Sequence, residues 1–242
     1  MSKAISIGVL LASAGAVSAA PVNSQSLPRA TAIGGSPGFA ASVERDGPIV
    51  YSAPPVTADG YFSDAVGGQF YGQMIADNFT LTSDTTVSGV NWWGSTENYF
   101  GPPDYSNFAS FTVMIMDGNF DVVHSETFNT GDTGPVATGL VNSGGGEQYF
   151  QSVKFSQTFN LSGGFEYWIA IGTTNFSASG DAWVWSSATG DGIIASNDFG
   201  GAGFLVFTGS LSDQAFEIQA IPTPGAVSLL AMAGLVVIRR RR

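Results

Sequence analysis

The sequence of 242 residues contains no cysteine, a single histidine and only eight lysine and arginine residues. Without cysteine, the chain has no disulfides, no thiolate nucleophile and no cysteine-bearing metal site. One histidine, His124, is too few for a metal site built from several histidines. Stability must therefore come from a packed core, and the chain is long enough for one domain.

Basic residues are scarcest between the two ends of the chain, where only Arg29, Arg45 and Lys154 occur. All nineteen acidic residues lie in the same span, which therefore has a net charge of −16. Nucleic-acid binding depends on lysine and arginine contacts to phosphate, so this composition excludes nucleic acid as a partner. An acidic surface instead favours solubility and the binding of cations.

The C-terminal end combines a proline motif, an apolar run and a basic block. The motif is Pro222-Thr223-Pro224, and the apolar run covers residues 225–238. Fourteen residues fall short of the roughly twenty that span a bilayer comfortably. Arginines directly after such a run resist translocation and stay on the cytoplasmic side. The basic block consists of Arg239, Arg240, Arg241 and Arg242.

This order of motif, apolar run and arginines resembles the PEP-CTERM sorting signal of exported bacterial proteins, with Thr223 where the family's name records a glutamate. The resemblance covers residues 221–242. It implies a transient membrane anchor and processing near Pro222 to Pro224 by an exosortase-type enzyme. A plain C-terminal membrane anchor is the alternative interpretation.

The N-terminal end is typical of a secretory signal peptide. Lys3 precedes an apolar stretch over residues 5–17, and Val17-Ser18-Ala19 ends in small residues that suit signal peptidase. We therefore expect residues 1–19 to be the signal peptide and Ala20 to begin the mature chain. The mature protein is expected on the outside of the cell.

Residues 20–60 are rich in proline, serine, glycine and alanine, which predicts a loose leader with one strand at 48–52. Residues 61–220 carry short runs of β-branched and aromatic residues separated by glycine, asparagine, aspartate and serine, and no amphipathic helix is apparent. This pattern predicts one all-β domain. Its strands are expected at 70–75, 77–81, 87–93, 110–116, 122–128, 149–159, 165–172, 182–186, 204–208 and 215–220.

Several of these runs alternate as half-buried strands do, with Phe111, Val113 and Ile115 on one face. The number of strands favours a two-sheet antiparallel β-sandwich, jelly-roll-like, flanked by the signal peptide and a C-terminal apolar helix. Residues 76–81, 87–94 and 213–218 also resemble sandwich domains of exported planctomycete-type proteins. That resemblance implies a fold and no known activity.

Catalysis is not predicted. A hydrolytic triad needs a nucleophile beside a histidine, and no Gly-x-Ser-x-Gly motif accompanies His124. Glycoside hydrolysis needs two facing carboxylates, for which the sequence offers nominal candidates but no way to pair them. A glycan-active enzyme is therefore only a third interpretation. The candidate carboxylates are Glu126, Glu147, Glu166 and Glu217.

Aromatic residues are the basis for a second interpretation, a carbohydrate-binding module. Sugar rings present apolar C–H patches that pack on exposed aromatic faces. In a regular strand Trp183 and Trp185 share one face, while Trp92 and Trp93 point to opposite faces. Burial in a sandwich core is the alternative role for each ring. The predicted platform consists of Trp93, Tyr99, Tyr105, Trp183 and Trp185.

Calcium is the one cofactor considered. Asp117, Asn119 and Asp121 place three oxygen-bearing side chains in one short segment, and calcium prefers oxygen ligands. An ordinary hairpin turn rich in aspartate and asparagine is the alternative.

The sequence as a whole predicts an exported protein of the bacterial cell surface or extracellular matrix, with a structural or adhesive role. Expected partners are signal peptidase, an exosortase-like enzyme, the membrane through the C-terminal segment, and extracellular polysaccharide.

Overall fold

The computed structural model describes residues 47–64, 73–98, 101–175, 180–198, 203–209 and 212–221. The predicted signal peptide, the sorting signal from Pro222 onward and Tyr99 lie outside the described residues. The described residues form β-strands and short 3₁₀ turns, with no α-helix. In that part of the chain no helix is long and apolar enough to cross a membrane.

The strands in chain order are β1 (Ile49–Ala53), β2 (Pro55–Phe62), β3 (Gln73–Thr80), β4 (Thr85–Asn98), β5 (Phe108–Asp117), β6 (Val122–Asn129), β7 (Val136–Val141), β8 (Glu147–Leu161), β9 (Glu166–Asn175), β10 (Asp181–Ala188), β11 (Ile194–Asp198), β12 (Leu205–Phe207), β13 (Asp213–Gln214) and β14 (Phe216–Ala220).

These strands form two antiparallel sheets. The six-stranded sheet has the order β12-β11-β3-β9-β5-β6. The eight-stranded sheet has the order β1-β14-β4-β10-β13, with β2 added on β10, β8 on β4 and β7 on β8. Strand β4 is its centre, because β14 pairs with the first half of β4 and β10 with the second half. The all-β prediction with two antiparallel sheets is confirmed.

The main core lies between the two sheets. Phe111, Val113 and Ile115 of β5 are fully buried there, as their alternation predicts. Trp92 and Phe216 face them from the eight-stranded sheet and belong to the same cluster. Apolar burial of this extent is the dominant favourable contribution to folding in a chain without cysteine.

The three segments that resemble exported sandwich domains meet in this structure. Asp77 of β3 points into the interior, where its carboxylate accepts a hydrogen bond from the backbone N–H of Gln214 (2.7 Å). The backbone N–H of Trp93 donates to the carbonyl of Ala215 (3.3 Å). The motifs are therefore the points at which β3, β4 and the β13–β14 segment join.

The sandwich extends back into the segment predicted as a leader. The strand expected at 48–52 corresponds to β1, and β2 pairs with β10 over residues 55–62. Gly60 explains the close approach of β2, because a Cβ at this position would lie 1.6 Å from the carbonyl oxygen of Trp185. Only glycine fits between these two backbones.

Candidate functional site

One end of the sandwich is organised around the buried carboxylate of Asp181, at the start of β10. Its Oδ1 accepts hydrogen bonds from the side-chain amide of Asn98 (2.8 Å) and from the backbone N–H of Asp104 (3.2 Å). Its Oδ2 accepts from the side-chain amide of Asn107 (2.5 Å). The donors are the last residue of β4 and two residues of the segment that connects β4 with β5. Asp181 therefore fixes this connection onto β10.

Tyr105 and Tyr149 form an aromatic pair at the same end. Their ring centroids lie 4.4 Å apart, with the ring planes inclined by 36°. On its side towards the core, the ring of Tyr105 makes a T-shaped contact with Phe108, with ring centroids 5.8 Å apart. Both tyrosines are only partly buried, so the pair connects the core with the surface. We name it the tyrosine pair.

Two exposed carboxylates flank the tyrosine pair. The hydroxyl of Tyr149 donates a hydrogen bond to Glu147 (3.1 Å). The carboxylate of Asp104 accepts from the hydroxyl of Ser106 (2.7 Å) and from its backbone N–H (2.9 Å), and these bonds lower the pKa of Asp104. Burial raises the pKa of Tyr149, and the neighbouring Glu147 and Asp104 raise it further. The Tyr149 phenol therefore stays neutral.

A shallow cleft of about 610 Å³ adjoins this end; its surface is mostly apolar, with the hydroxyl groups of four serine and threonine residues along its border. Ser106 lies between this cleft and the tyrosine pair. It borders the cleft, and its hydroxyl donates to Asp104, one of the two carboxylates that flank the pair. The surface around the pair therefore offers hydroxyl donors and acceptors beside aromatic rings. The lining residues are Ser106, Phe108, Ala109, Ser110, Thr127, Asn129, Thr130 and Gly131.

The predicted sugar platform is only partly represented at this end. Tyr105 is part of the tyrosine pair, whereas Trp183 and Trp185 are fully buried between the sheets. Trp93 points to the opposite face of the eight-stranded sheet from Trp92, as expected, but it too is buried, against Phe150 at 5.0 Å. The three tryptophans of the platform therefore present no exposed face, because each packs within an apolar cluster.

Tyr149 was not among the predicted platform residues. The sequence shows only a tyrosine in an alternating strand. The placement beside Tyr105 depends on two long-range features, the pairing of β8 with β4 and the attachment of the β4–β5 connection to Asp181. Neither feature has a local signal in the sequence.

The predicted calcium segment forms the hairpin turn between β5 and β6. Oδ1 of Asp117 accepts hydrogen bonds from the backbone N–H groups of Asn119 (2.8 Å) and Asp121 (3.0 Å). The hairpin is thus as predicted. Throughout the described ranges, no group of three or more histidine, cysteine, aspartate or glutamate side chains is arranged to hold a metal ion. Calcium binding at this turn stays a prediction.

A second cleft, of about 490 Å³, lies at the opposite end of the sandwich beside this hairpin. Asp117 and Asn119 line it together with Glu166 and the exposed ring of Phe165. One oxygen of Glu166 accepts from the side-chain amide of Asn78 (3.1 Å). The aromatic ring here is isolated, since no second exposed ring accompanies Phe165 among the residues that line this cleft.

The remaining candidate catalytic groups have structural roles. His124 stacks on Phe159, with ring centroids 4.4 Å apart, and its Nε2 lies 3.4 Å from the Glu126 carboxylate. Glu126 in turn accepts from the backbone N–H of Ser156 on β8 (3.0 and 3.2 Å). Because β6 and β8 belong to different sheets, these contacts close one side of the sandwich and protect an open strand edge.

Glu217 is buried on β14 and is not paired with Glu166. Its carboxylate accepts hydrogen bonds from the hydroxyl of Ser52 (3.0 Å) and the side-chain amide of Asn91 (2.9 Å). These bonds join β14 to both neighbouring strands. Glu217 is therefore held inside the eight-stranded sheet, whereas Glu166 is exposed at the start of β9 in the six-stranded sheet.

The most perturbed acids lie in the interior. Burial, followed by repulsion from Asp213, raises the pKa of Asp77 well above its ordinary value. Asp213 accepts from the backbone N–H groups of Asp191 (2.9 Å) and Gly192 (2.7 Å), and burial raises its pKa as well. Burial also raises the pKa of Asp64 to about 6. All three carboxylates hold backbone segments in place and border neither cleft.

Comparison with known proteins adds no family to this description. The chain matches no protein-family model, no curated protein and no solved structure.

Proposed function

We propose that this chain is an exported bacterial protein of the cell envelope, outer surface or extracellular matrix, with a structural or adhesive role. In this proposal a jelly-roll-like sandwich is flanked by a cleavable signal peptide and a C-terminal apolar helix. Signal peptidase cuts after Ala19, and an exosortase-type enzyme processes the tail near Pro222 to Pro224. No catalytic step is assigned to the sandwich itself.

The observation that carries the proposal is the position of the sorting motif relative to the folded domain. The backbone N–H of Ala220 donates to the carbonyl of Pro48, and that of Ile221 donates to the carbonyl of Thr86, both at 3.0 Å. The chain is therefore hydrogen-bonded to the sandwich up to the residue before Pro222. An enzyme acting at the motif would cut directly next to a complete domain and leave that domain intact.

The net charge of the domain supports display outside the cell. Lys154 is the only lysine or arginine between residues 47 and 221, against seventeen aspartates and glutamates, of which Asp59, Asp64, Asp77, Asp181, Asp213 and Glu217 are buried. Like-charged domains repel each other and remain dispersed, which suits a protein that is delivered singly and held at a surface. An adhesive role requires in addition a surface that contacts a ligand, and the tyrosine pair offers one.

The proposal is tested by expressing the full chain in a bacterium that carries an exosortase. Replacing both Pro222 and Pro224 by alanine should retain the protein in the membrane fraction, because the motif is no longer processed. Immunoblots of membrane and medium, with mass spectrometry of the released C-terminus, measure the result. The matched control replaces Pro102 and Pro103, which lie in a loop of the sandwich, and should be released normally. Unchanged release of the Pro222/Pro224 variant would contradict the proposal.

A further inference from the structure

We propose that the tyrosine pair and its flanking carboxylates form a binding site for a neutral polysaccharide. This inference rests on the proposed function, since it supplies the ligand that an adhesive role requires. It assigns a site that differs from the platform expected from the sequence: Tyr105 is retained, Tyr149 is added, and the three buried tryptophans have no part in it.

The first argument is that the rings are rigid before any ligand arrives. Tyr105 is held from below by Phe108 and by an edge contact with Trp183 at 6.3 Å, and Tyr149 rests on Tyr105. Tyrosine supplies a large amphipathic contact area at a low cost in conformational entropy. A pyranose ring can therefore pack its C–H face on Tyr149 without ordering the protein first.

The second argument is that acceptors for sugar hydroxyls lie at the edge of this aromatic surface. Glu147 is exposed and accepts a hydrogen bond from the Tyr149 hydroxyl, while Asp104 accepts one from the Ser106 hydroxyl. Each carboxylate oxygen can accept more than one hydrogen bond. Since Asp181 fixes the backbone of Asp104, the Asp104 carboxylate is held near Tyr149, whose hydroxyl donates to Glu147.

The third argument concerns the charge of the ligand. With one lysine and no arginine between residues 47 and 221, the domain has no basic group near this end to pair with a uronate, sulfate or phosphate. Glu147 and Asp104 add local negative charge that repels acidic polymers. The site therefore selects uncharged pyranose units, with the mostly apolar cleft beside Ser106 available for a neighbouring unit of the same chain.

The test measures retention of the purified full-length protein on polysaccharides of defined charge. The neutral arm contains a glucan, a mannan and a galactan, the acidic arm a polyuronate, and the basic arm chitosan. We expect retention on at least one neutral polymer at both low and high salt, and none on the polyuronate. No retention on any neutral polymer, or retention on chitosan alone that salt abolishes, would overturn the proposal.

Two variants locate the site. Tyr149→Ala removes the partly buried ring, and Glu147→Gln replaces one carboxylate by a neutral amide at an exposed position where folding is preserved. Each should weaken binding to the neutral polymer by about tenfold, as truncating a central aromatic or charged contact commonly does. Phe165→Ala and Asp121→Asn make matched changes at the opposite end and should leave binding unchanged. Equal loss in these controls, or full binding by Glu147→Gln and Tyr149→Ala, would place the ligand elsewhere.

This experiment is independent of sorting. Binding is measured on purified protein, so a failure of the Pro222/Pro224 experiment leaves its outcome untouched. Conversely, correct sorting without polysaccharide binding would support the proposed export and contradict only the proposed polysaccharide site.

Discussion

The carboxyl group of Asp64 gives the sharpest test of how the two sheets are held together. Asp64 follows β2 of the eight-stranded sheet and forms a parallel bridge with Thr173 of β9 in the six-stranded sheet. Its Oδ1 accepts from the Thr173 hydroxyl (2.7 Å) and, at 3.4 Å, from the backbone N–H of Trp183. Its Oδ2 is buried without a partner in the described structure. The site thus accommodates a neutral carboxylic acid better than a carboxylate.

The sign and size of the effect follow from the pKa. Burial raises the pKa of Asp64 from 3.8 to about 6, against the lowering effect of its two hydrogen bonds. Between these values the folded state binds more protons than the unfolded state, so the free energy of unfolding decreases as pH rises. A shift of this size corresponds to about 3 kcal/mol, which is fully lost above about pH 6.

The assay is urea unfolding of the wild-type protein and of Asp64→Asn at intervals from pH 4 to pH 7.5. The asparagine amide is neutral throughout this range, so the free-energy cost of the substitution does not depend on pH. The wild type and the variant should therefore differ in how steeply the free energy of unfolding changes with pH. We expect the wild type to lose about 2.4 kcal/mol more than the variant over this range, because part of the total is already lost at pH 4. Repeating the series at high salt separates surface repulsion, which salt screens, from the buried carboxyl. Parallel pH profiles for the two proteins would refute the reasoning.

Three further changes test other parts of the structure. Gly190→Ala would place a Cβ 1.3 Å from Oδ2 of Asp213, so we expect chemical unfolding to show that the free energy of unfolding falls by about 2–4 kcal/mol. The control Gly131→Ala has open space around its Cβ and should change the free energy of unfolding by less than about 0.5 kcal/mol. Glu126→Gln weakens the hydrogen bond to β8 and should cost about 1 kcal/mol by the same measurement; an unchanged midpoint would contradict a closing role. Asp181→Ala leaves three donors without their acceptor and should expose the β4–β5 connection to limited proteolysis; wild-type resistance would show that other contacts fix it.

Strands with strict alternation could be predicted from the sequence, and strands defined by close packing could not. In β5 the residues Phe111, Val113 and Ile115 alternate with polar or flexible ones, and the hairpin that follows has a turn sequence of its own. Strand β2 lacks such a pattern and contains Gly60. That glycine is required by the position of the Trp185 carbonyl, which only the folded structure reveals. A local sequence pattern carries no information about the close approach of two backbones that are distant in sequence.

The roles of the acids were beyond prediction for a related reason. Nineteen acidic residues look alike in sequence, yet Asp64 and Asp77 are buried while Glu147 and Asp104 are exposed. For Asp77 the strand pattern gives the face, since it lies between Ile75 and Phe79, which also point inward. What stabilises it there is the backbone N–H of Gln214, more than a hundred residues away. Burial of a carboxyl group depends on such distant donors.

The tryptophans show why aromatic content alone does not indicate a binding surface. Alternation correctly placed Trp92 and Trp93 on opposite faces, but it cannot reveal that both faces of β4 are covered. On the second face, Trp93 packs with Ala53, Phe150 and Ala215, which come from segments distant in sequence. An aromatic ring that binds a ligand has to combine a rigid base, an exposed face and adjacent polar groups. We propose the ligand site at Tyr149 because β8 places it beside Tyr105 and because Asp181 holds the loop that carries Tyr105.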